Sequence, residues 1–453
     1  MRIVTTPTKA VQVQSSCPMA TSVRAAPVHV VRSRAGLGLL GVALAARVGA
    51  LALSPHYFPG HDDRSYLVHA IALARTGHFP IWPVHGGVVP TAYRAPGFPA
   101  LLAAAERVAG DGLAPLRDTQ VGVGVVLVAL IGVVGGRLWG RRVGLTAMAL
   151  AALSPVLIVF GASLESEPLF AALVMAAVAT ALRARDGRHR LGWAILAGAL
   201  AGAAALTRSE GLLLVPAIAL VAAPAARAWP AALAVVLAAA VAVAPWTARN
   251  ADVMHAFVPV STETGNTLAG TYNDRARTDP QWRWGWRDPR LDNLYSDVRY
   301  AHRFDEPGVD RALERAVAVW VLHHPLAPLE VAVTNAPRLT GFAPPAWSAL
   351  SLRTTTLPVG FAPALQLGLV ATSLLALAGA TDPRARRLPL AARLVGILIA
   401  LVALLINCEQ RFAVPLQPWL LLLAALPVSS VLSRARPGTR RWRGARLRRA
   451  ARA

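Results

Sequence analysis

Long apolar runs punctuate this chain. Nearly unbroken stretches of Ala, Leu, Val and Gly recur at about 36–54, 119–138, 143–160, 168–184, 191–207, 211–226, 230–247, 359–380, 391–406 and 414–432. Each approaches the ~20 apolar residues that carry an α-helix across a hydrocarbon core. The runs are continuous and do not alternate, which excludes a β-barrel. The pattern predicts an all-α polytopic membrane protein with about ten transmembrane helices. Two long polar segments interrupt it. Residues 55–118 form a juxtamembrane first loop, and its apolar stretch Pro96–Gly110 is too short to span, so it is expected to lie at the interface or re-enter the membrane. Residues 248–358 form a loop of small-domain size between spans seven and eight. Within it, 308–324 places Val309, Leu313, Ala316, Val317 and Trp320 on one helical face.

Charge orients these elements. The 453 residues are 55% hydrophobic and 15% charged, with a formal net charge of +23. That excess suggests nucleic acid until its distribution is considered. The junctions 137–142, 183–190, 381–393 and 433–453 are rich in arginine and hold only two of the 23 acids, Asp186 and Asp382. This is the positive-inside pattern. With an even number of spans, both termini fall on the cytoplasmic side and the two long loops face outward. The tail Arg440-Arg441-Trp442-Arg443 suits anionic lipid headgroups better than nucleic acid. The expected organisation is a disordered cytoplasmic arm (1–35), a membrane region (36–247) containing the outward loop 55–118, an extracytoplasmic region (248–358), further spans (359–432) and a basic cytoplasmic tail (433–453). Cys17 and Cys408 fall on opposite sides, so no disulfide joins them, and no zinc spacing occurs.

Chemistry is expected where charge meets the membrane edge, since ionisable groups there are costly unless they serve a site or face water. Asp62 and Asp63 are adjacent carboxylates. Their repulsion should raise one pKa and make a usable general base; the alternative is a water-facing pair capping the helix that begins near Ser65. Arg64, Arg94, Arg208, Arg249 and Arg411 sit at the outer ends of spans or in the first loop, where guanidinium forks suit phosphate oxygens. Snorkelling is the competing account and is preferred for Arg249. In Ser163-Leu164-Glu165-Ser166-Glu167-Pro168, the helix dipole accounts for one glutamate, leaving one for a site. Trp282, Trp284 and Trp286 alternate, which would line three indoles along one face of an extended segment. A platform for an acceptor and a loop core are both open readings. No Gly-rich phosphate loop, GxSxG or HExxH is present.

These motifs, in order, resemble the GT-C membrane glycosyltransferases, in particular the branch of protein O-mannosyltransferases and lipid A aminoarabinose transferases. The resemblance rests on Asp62-Asp63-Arg64-Ser65-Tyr66, then Arg94-Ala95-Pro96-Gly97-Phe98-Pro99, Ser154-Pro155, Glu167-Pro168, Leu206-Thr207-Arg208, Pro245-Trp246 with Arg249-Asn250, and Arg411-Phe412 before Pro415. It covers most of 36–432. Two departures stand out: the second acid is Asp where Glu is commoner, and Tyr93 occupies the place of a glutamate. The resemblance implies a polyprenyl-phosphate sugar as donor and a glycan, lipid or protein hydroxyl as acceptor. Asp62 would be the base of an inverting transfer, with Asp63 beside it. Arg64, Arg94, Arg208 and Arg411 would hold the lipid phosphate, with Tyr66, Tyr93 and Glu167 supporting. The scheme requires no cofactor and leaves a divalent metal at Asp62 and Asp63 open.

Alanine and arginine richness with one lysine, Lys9, points to a GC-rich bacterial genome and hence to the plasma membrane. Two other classes compete. A flippase or transporter for a lipid-linked glycan would need polar residues near mid-membrane, whereas the charges here gather at one face. A non-catalytic scaffold presenting 248–358 to a partner would be indifferent to Asp62.

Overall fold

The computed structural model describes residues 28–84, 87–186, 189–303, 305–406 and 409–434. The expected arm and tail therefore lie largely outside the described residues, as do Cys17 and Cys408. All ten apolar runs are helical: α1 (Arg34–Ala52), α4 (Leu113–Trp139), α5 (Arg141–Ala152) with α6 (Pro155–Val159), α7 (Glu167–Asp186), α8 (Arg190–Thr207), α9 (Gly211–Ala222), α10 (Trp229–Met254), α16 (Ala362–Ala380), α17 (Leu390–Leu405) and α18 (Gln417–Arg434). Six helices among the described residues are long and apolar enough to cross a membrane. Two of the expected spans fall short of the length that crosses a membrane, α9 because it is cut below its apolar run and α17 because the run itself is short. α9 stops at Ala222 because Pro224 disfavours helix at the residue before it. α17 is 16 residues long. The third run is bent by 56° between α5 and the α6 segment, where Pro155 cannot supply the amide that a continuous helix needs.

The first long polar segment folds into α2 (His61–Thr76), a two-stranded hairpin of β1 (Pro80–Val84) and β2 (Gly87–Pro90), and α3 (Gly97–Ala109). The expected helix at Pro96–Gly110 is thus present, packed against α2 and α4. The second segment has its own core. Leu313, Val317 and Trp320 of α13 (Glu306–His323) pack with Trp284 and with Tyr295 of α12 (Asn293–Ala301), bearing out the amphipathic face read from the sequence. α11 (Thr264–Thr271), α14 (Ala327–Thr340) and α15 (Pro345–Thr354) complete this region.

Packing within the bundle depends on small residues, as expected where lipid offers no hydrophobic drive for helix association. α8 lies against α7 and α10. Gly198 and Gly202, one turn apart, face α10 so closely that a Cβ on Gly198 would come within 2.2 Å of the Val235 carbonyl. At the end of the bundle opposite the two long polar segments, arginines bind helix carbonyls: Arg137 donates to Leu182 O (2.8 Å) and Arg190 to Ala184 O (3.2 Å), both near the end of α7, and Arg384 donates to Leu426 O (2.7 Å) within α18. Arg137 and Arg190 thus place positive charge at the negative end of the α7 dipole.

Gly198→Val is expected to destabilise the bundle by about 1–3 kcal/mol through overpacking. Gly192→Val, on the same helix but in open space, is the control. Thermal unfolding of the detergent-solubilised protein separates the two, and equal melting temperatures would refute the close α8–α10 contact.

Candidate active site

Five segments distant in sequence meet at the end of the bundle where both long polar segments lie. They are the start of α2, the loop before α3, the 163–167 turn before α7, the turn between α8 and α9, and a 3-10 turn at Gln410–Ala413 before α18. Backbone geometry brings them together. His61 adopts φ +37°, an unusual left-handed conformation for a non-glycine residue, where α2 starts. Gly97 sits so close to Thr207 and Leu206 that a Cβ would meet the Leu206 carbonyl at 2.9 Å, which draws the Arg94 loop towards Arg208.

Asp62 is the hub. One carboxylate oxygen accepts from Arg94 Nη2, and the other accepts from Arg411 Nη2 at 2.6 Å. Arg94 also pairs with Glu263 and donates to Ser65 Oγ (3.2 Å). Its guanidinium lies over the rings of Tyr66 (5.0 Å) and Tyr93 (5.2 Å). Arg411 continues the chain to Glu165 (2.6 Å) and Glu409 (3.1 Å). Arg208 pairs with Glu167 (2.7 Å) and Glu210 (2.5 Å), and donates to Ser166 Oγ, which also meets the Tyr66 hydroxyl. Phe412 stands between Arg208 (5.3 Å) and Arg411 (5.0 Å).

Asp63 takes a different place from the one expected. It is buried behind Asp62, accepts from the Tyr57 hydroxyl, and lies within hydrogen-bonding reach of Glu165. Asp63 Oδ1 and Glu165 Oε2 are both buried with no other hydrogen-bond partner. Burial is the largest influence on each acid, but neighbours decide the outcome. For Asp62, burial pushes the pKa up, and Arg94 and Arg411 overcome it, so the carboxyl is held well below the usual range. For Asp63, burial raises the pKa to about 6 against the lowering pull of Glu165, Tyr57 and Arg411. Burial likewise raises Glu165, with Asp63 adding to it and Arg411 opposing. One acid of the pair is raised, Asp63, but burial raises it and repulsion from Asp62 is the smallest of its influences.

Other expectations meet the structure as follows. Arg64 is exposed and makes no ion pair among the described residues; it lies off the α2 face that holds Asp63 and Tyr66. Tyr93 supports Arg94 and accepts from Asn266 Nδ2 (3.0 Å). Arg249 binds the carbonyls of Thr91 (2.7 Å) and Phe79 (3.2 Å), so it braces the first loop and does not simply snorkel. The indoles do not form one face. Trp284 turns into the left-handed region at φ +59° and is fully buried, Trp282 packs edge-on against Trp347, and Trp286 lies against Gly270. Sequence reasoning missed Tyr57, Glu263, Glu409 and Glu306. Glu306, at the start of α13, accepts from Thr91 Oγ1 (2.7 Å), the Ala92 amide (2.9 Å) and Thr262 Oγ1 (2.6 Å), and so ties the loop before Arg94 to the segment before Glu263. Among the described residues no three His, Cys, Asp or Glu side chains form a group that could hold a metal.

A narrow apolar cleft opens beside this constellation. Leu214 of α9, Leu398 and Val402 of α17, and Phe170 line it, and it ends at Arg208, Glu210 and Phe412.

The fold is similar to that of an archaeal oligosaccharyltransferase. The structure of the oligosaccharyltransferase AglB from Archaeoglobus fulgidus, in complex with an inhibitory peptide and a dolichol-phosphate, superposes with a TM-score of 0.54 over 94% of this chain and 54% of that one, at 14% identity. The Archaeoglobus fulgidus oligosaccharyltransferase tethered with an acceptor peptide gives 0.53, at 14% identity, over 90% of this chain and 50% of that one. ArnT from Cupriavidus metallidurans bound to undecaprenyl phosphate gives 0.44, at 15% identity, over 86% and 77%. The chain therefore spans about half the length of the archaeal enzyme. Residues 93–248 match the family model described as dolichyl-phosphate-mannose-protein mannosyltransferase, a stretch holding Arg94, Glu167 and Arg208. No curated protein matches in sequence.

Asp63→Asn tests the buried pair. A raised carboxyl pKa stabilises the fold at low pH, and that contribution is lost as pH rises through about 6. Asparagine is neutral throughout; its oxygen can accept from Tyr57 and its amide can donate to Glu165. The variant is expected to melt about 2–4 °C higher than wild type at pH 7.5, with a smaller difference at pH 5. A lower melting temperature at both pH values would refute the raised Asp63 carboxyl.

Proposed function

We propose that the protein is an inverting glycosyltransferase that moves a sugar from a polyprenyl-phosphate carrier to an acceptor hydroxyl on the extracytoplasmic face of a bacterial plasma membrane. The observation that carries this reading is the apolar cleft ending at Arg208 and Phe412, one side chain away from the Arg411–Asp62 pair. A polyprenyl tail suits the cleft, and its phosphate would then stand among Arg208, Arg411 and Arg94. The dolichol-phosphate held by the archaeal structure of the same fold, and the mannosyltransferase family model, support a lipid-phosphate donor. The sugar and the acceptor, whether glycan, lipid or protein, are for the transfer assay to identify.

In this reading Asp62 takes the proton of the acceptor hydroxyl as that oxygen attacks the anomeric carbon. The bond from the anomeric carbon to the phosphate oxygen breaks, and the lipid phosphate leaves with one additional negative charge, which the guanidiniums offset. Asp62 is a weak base while two guanidiniums hold it. Donor phosphate competes for those same guanidiniums, so donor binding raises the basicity of Asp62 as it supplies the electrophile. The charged and titratable groups facing Asp62 are Arg94, Arg411, Asp63, Glu165, Glu263, Tyr66 and Tyr93.

Asp62→Asn is expected to lower kcat by about 10²–10⁴-fold while retaining donor binding. Arg208→Lys keeps the charge but loses the fork, and is expected to raise the donor KM by roughly 10–100-fold. Both are measured by transfer of radiolabelled sugar from a panel of polyprenyl-phosphate donors in reconstituted membranes. Wild-type turnover by Asp62→Asn would refute the assignment of the base.

The pH profile follows from the same geometry. In the free enzyme Asp62 stays ionised to low pH, so the acidic limb of kcat/KM for the donor should lie below the ordinary carboxylate pKa of ~4. In the donor complex its pKa rises, so activity should be lost at a higher pH, and the acidic limb of kcat should sit above that of kcat/KM. Coincident limbs would contradict competition between donor phosphate and Asp62.

A further inference from the structure

Residues 326–354 do not have the surface of a water-facing loop. α14 and α15 form a helical hairpin whose turn, Gly341 to Pro344, packs along α16. The Thr340 carbonyl accepts from Ser373 Oγ (3.2 Å), and Gln366 Nε2 donates to the carbonyls of Gly341 (3.1 Å) and Ala343 (2.7 Å). Ser373 is the twelfth residue of α16, ~16 Å along its axis. The turn therefore lies well within the length of a helix that is long and apolar enough to span. Non-helical backbone at membrane depth survives only where its polar groups find protein partners. Gln366 and Ser373, which with Thr372 are the polar residues of this span, supply them.

The two faces of α14 differ in the way this placement requires. Asn335 and Arg338 are buried. Asn335 donates to Leu404 O (3.0 Å) and Ile406 O (2.6 Å), capping α17, and Arg338 lies 3.5 Å from the centroid of Trp347. The outward row is apolar and exposed: Leu326 (66%), Leu329 (62%), Val333 (65%) and Phe342 (57%). It continues the exposed faces of the neighbouring span helices, carried by Leu367 and Leu374 on α16 and by Ile397 and Leu401 on α17. Near the top of α14, Glu330 pairs with Arg283 (2.7 Å), as suits the headgroup level.

We propose that residues 326–354 form a re-entrant hairpin seated in the site-side leaflet, with the Leu326, Leu329, Val333 and Phe342 row against lipid acyl chains. This revises the expectation that all of 248–358 stands in water. It also gives the hairpin a functional position. Its returning arm, α15, holds the segment flanking Arg411: Ser351 Oγ accepts from the Gln410 amide (3.0 Å), Ser348 Oγ accepts from Gln410 Nε2 (2.9 Å), and Thr354 Oγ1 donates to Glu409 (3.0 Å).

The test uses full-length protein in liposomes, with Cys17 and Cys408 replaced by serine. Single cysteines are placed at Leu329, Val333 and Phe342, and at exposed Asp297 on α12 as the aqueous reference. A membrane-impermeant maleimide is expected to label the first three on the order of tenfold more slowly than Asp297→Cys. A nitroxide on each of the three should be relaxed by lipid-soluble oxygen in preference to an aqueous nickel chelate. Labelling of Val333→Cys and Phe342→Cys at the Asp297→Cys rate, with relaxation by the chelate, would overturn the proposal. These readouts report topology alone, so they stand apart from any result on sugar transfer.

Discussion

The site depends on a single electrostatic constraint: charges at the edge of a low-dielectric body must be matched. Asp62 is shared between Arg94 and Arg411, and each arginine is shared with a further acid, Glu263 or Glu165. Breaking a buried pair by removing one partner costs far more than the pair contributes, because the remaining charge is left uncompensated. The chain Glu263–Arg94–Asp62–Arg411–Glu165 therefore sets the relative positions of α2, the α3 approach, the turn before α7 and the turn before α18. A fold that failed to bring these four together would leave ions stranded. The same matching keeps Asp62 an anion and a poor base until something else engages its guanidiniums.

Much of this was legible in the sequence, and the parts that were not share a physical reason. The apolar runs gave the helices, because length and continuity are local properties. Pro155 and Pro224 mark where the third and sixth runs bend or stop, and both were visible as prolines inside otherwise periodic stretches. Arg94, Arg208, Arg411 and Glu167 stood out as charges beside membrane-length helices, and the structure brings all four to one place. Arg64 stood out equally, but at 100° per residue it cannot share a helix face with Asp63 and Tyr66. The tryptophan triplet failed because alternation implies a shared face only in an extended chain, and Trp284 is in the left-handed region.

Glu263, Glu306 and Tyr57 were illegible for the converse reason. Nothing near Glu306 in sequence needs a carboxylate; its partners, Thr91, Ala92 and Thr262, are up to 215 residues away. Asp63 and Asp62 illustrate how adjacent residues acquire opposite character. Repulsion between them is one of the weaker influences on Asp63, and the outcome is set by which acid faces the guanidiniums and which faces Tyr57 and Glu165. Those directions follow from the α2 face that packs inward, which the pair alone could not reveal.

The short length of α17 connects the cleft to the site. A helix that ends below the membrane surface exposes its last carbonyls where water is scarce. Here Asn335 takes those of Leu404 and Ile406, and Tyr272 donates to Leu405 (2.7 Å). With its end satisfied by the second long polar segment, α17 can stop early, and the chain turns immediately into Glu409–Arg411. A full-length α17 would carry that turn roughly one to two helical turns higher, at 5.4 Å per turn, and out of reach of Asp62. One face of α17 lines the apolar cleft and its end is capped by α14, so the helix that shapes the cleft is also the helix whose termination sets the height of Arg411. The level at which a lipid phosphate would meet the guanidiniums and the level of Asp62 are thus fixed by the same three carbonyl caps.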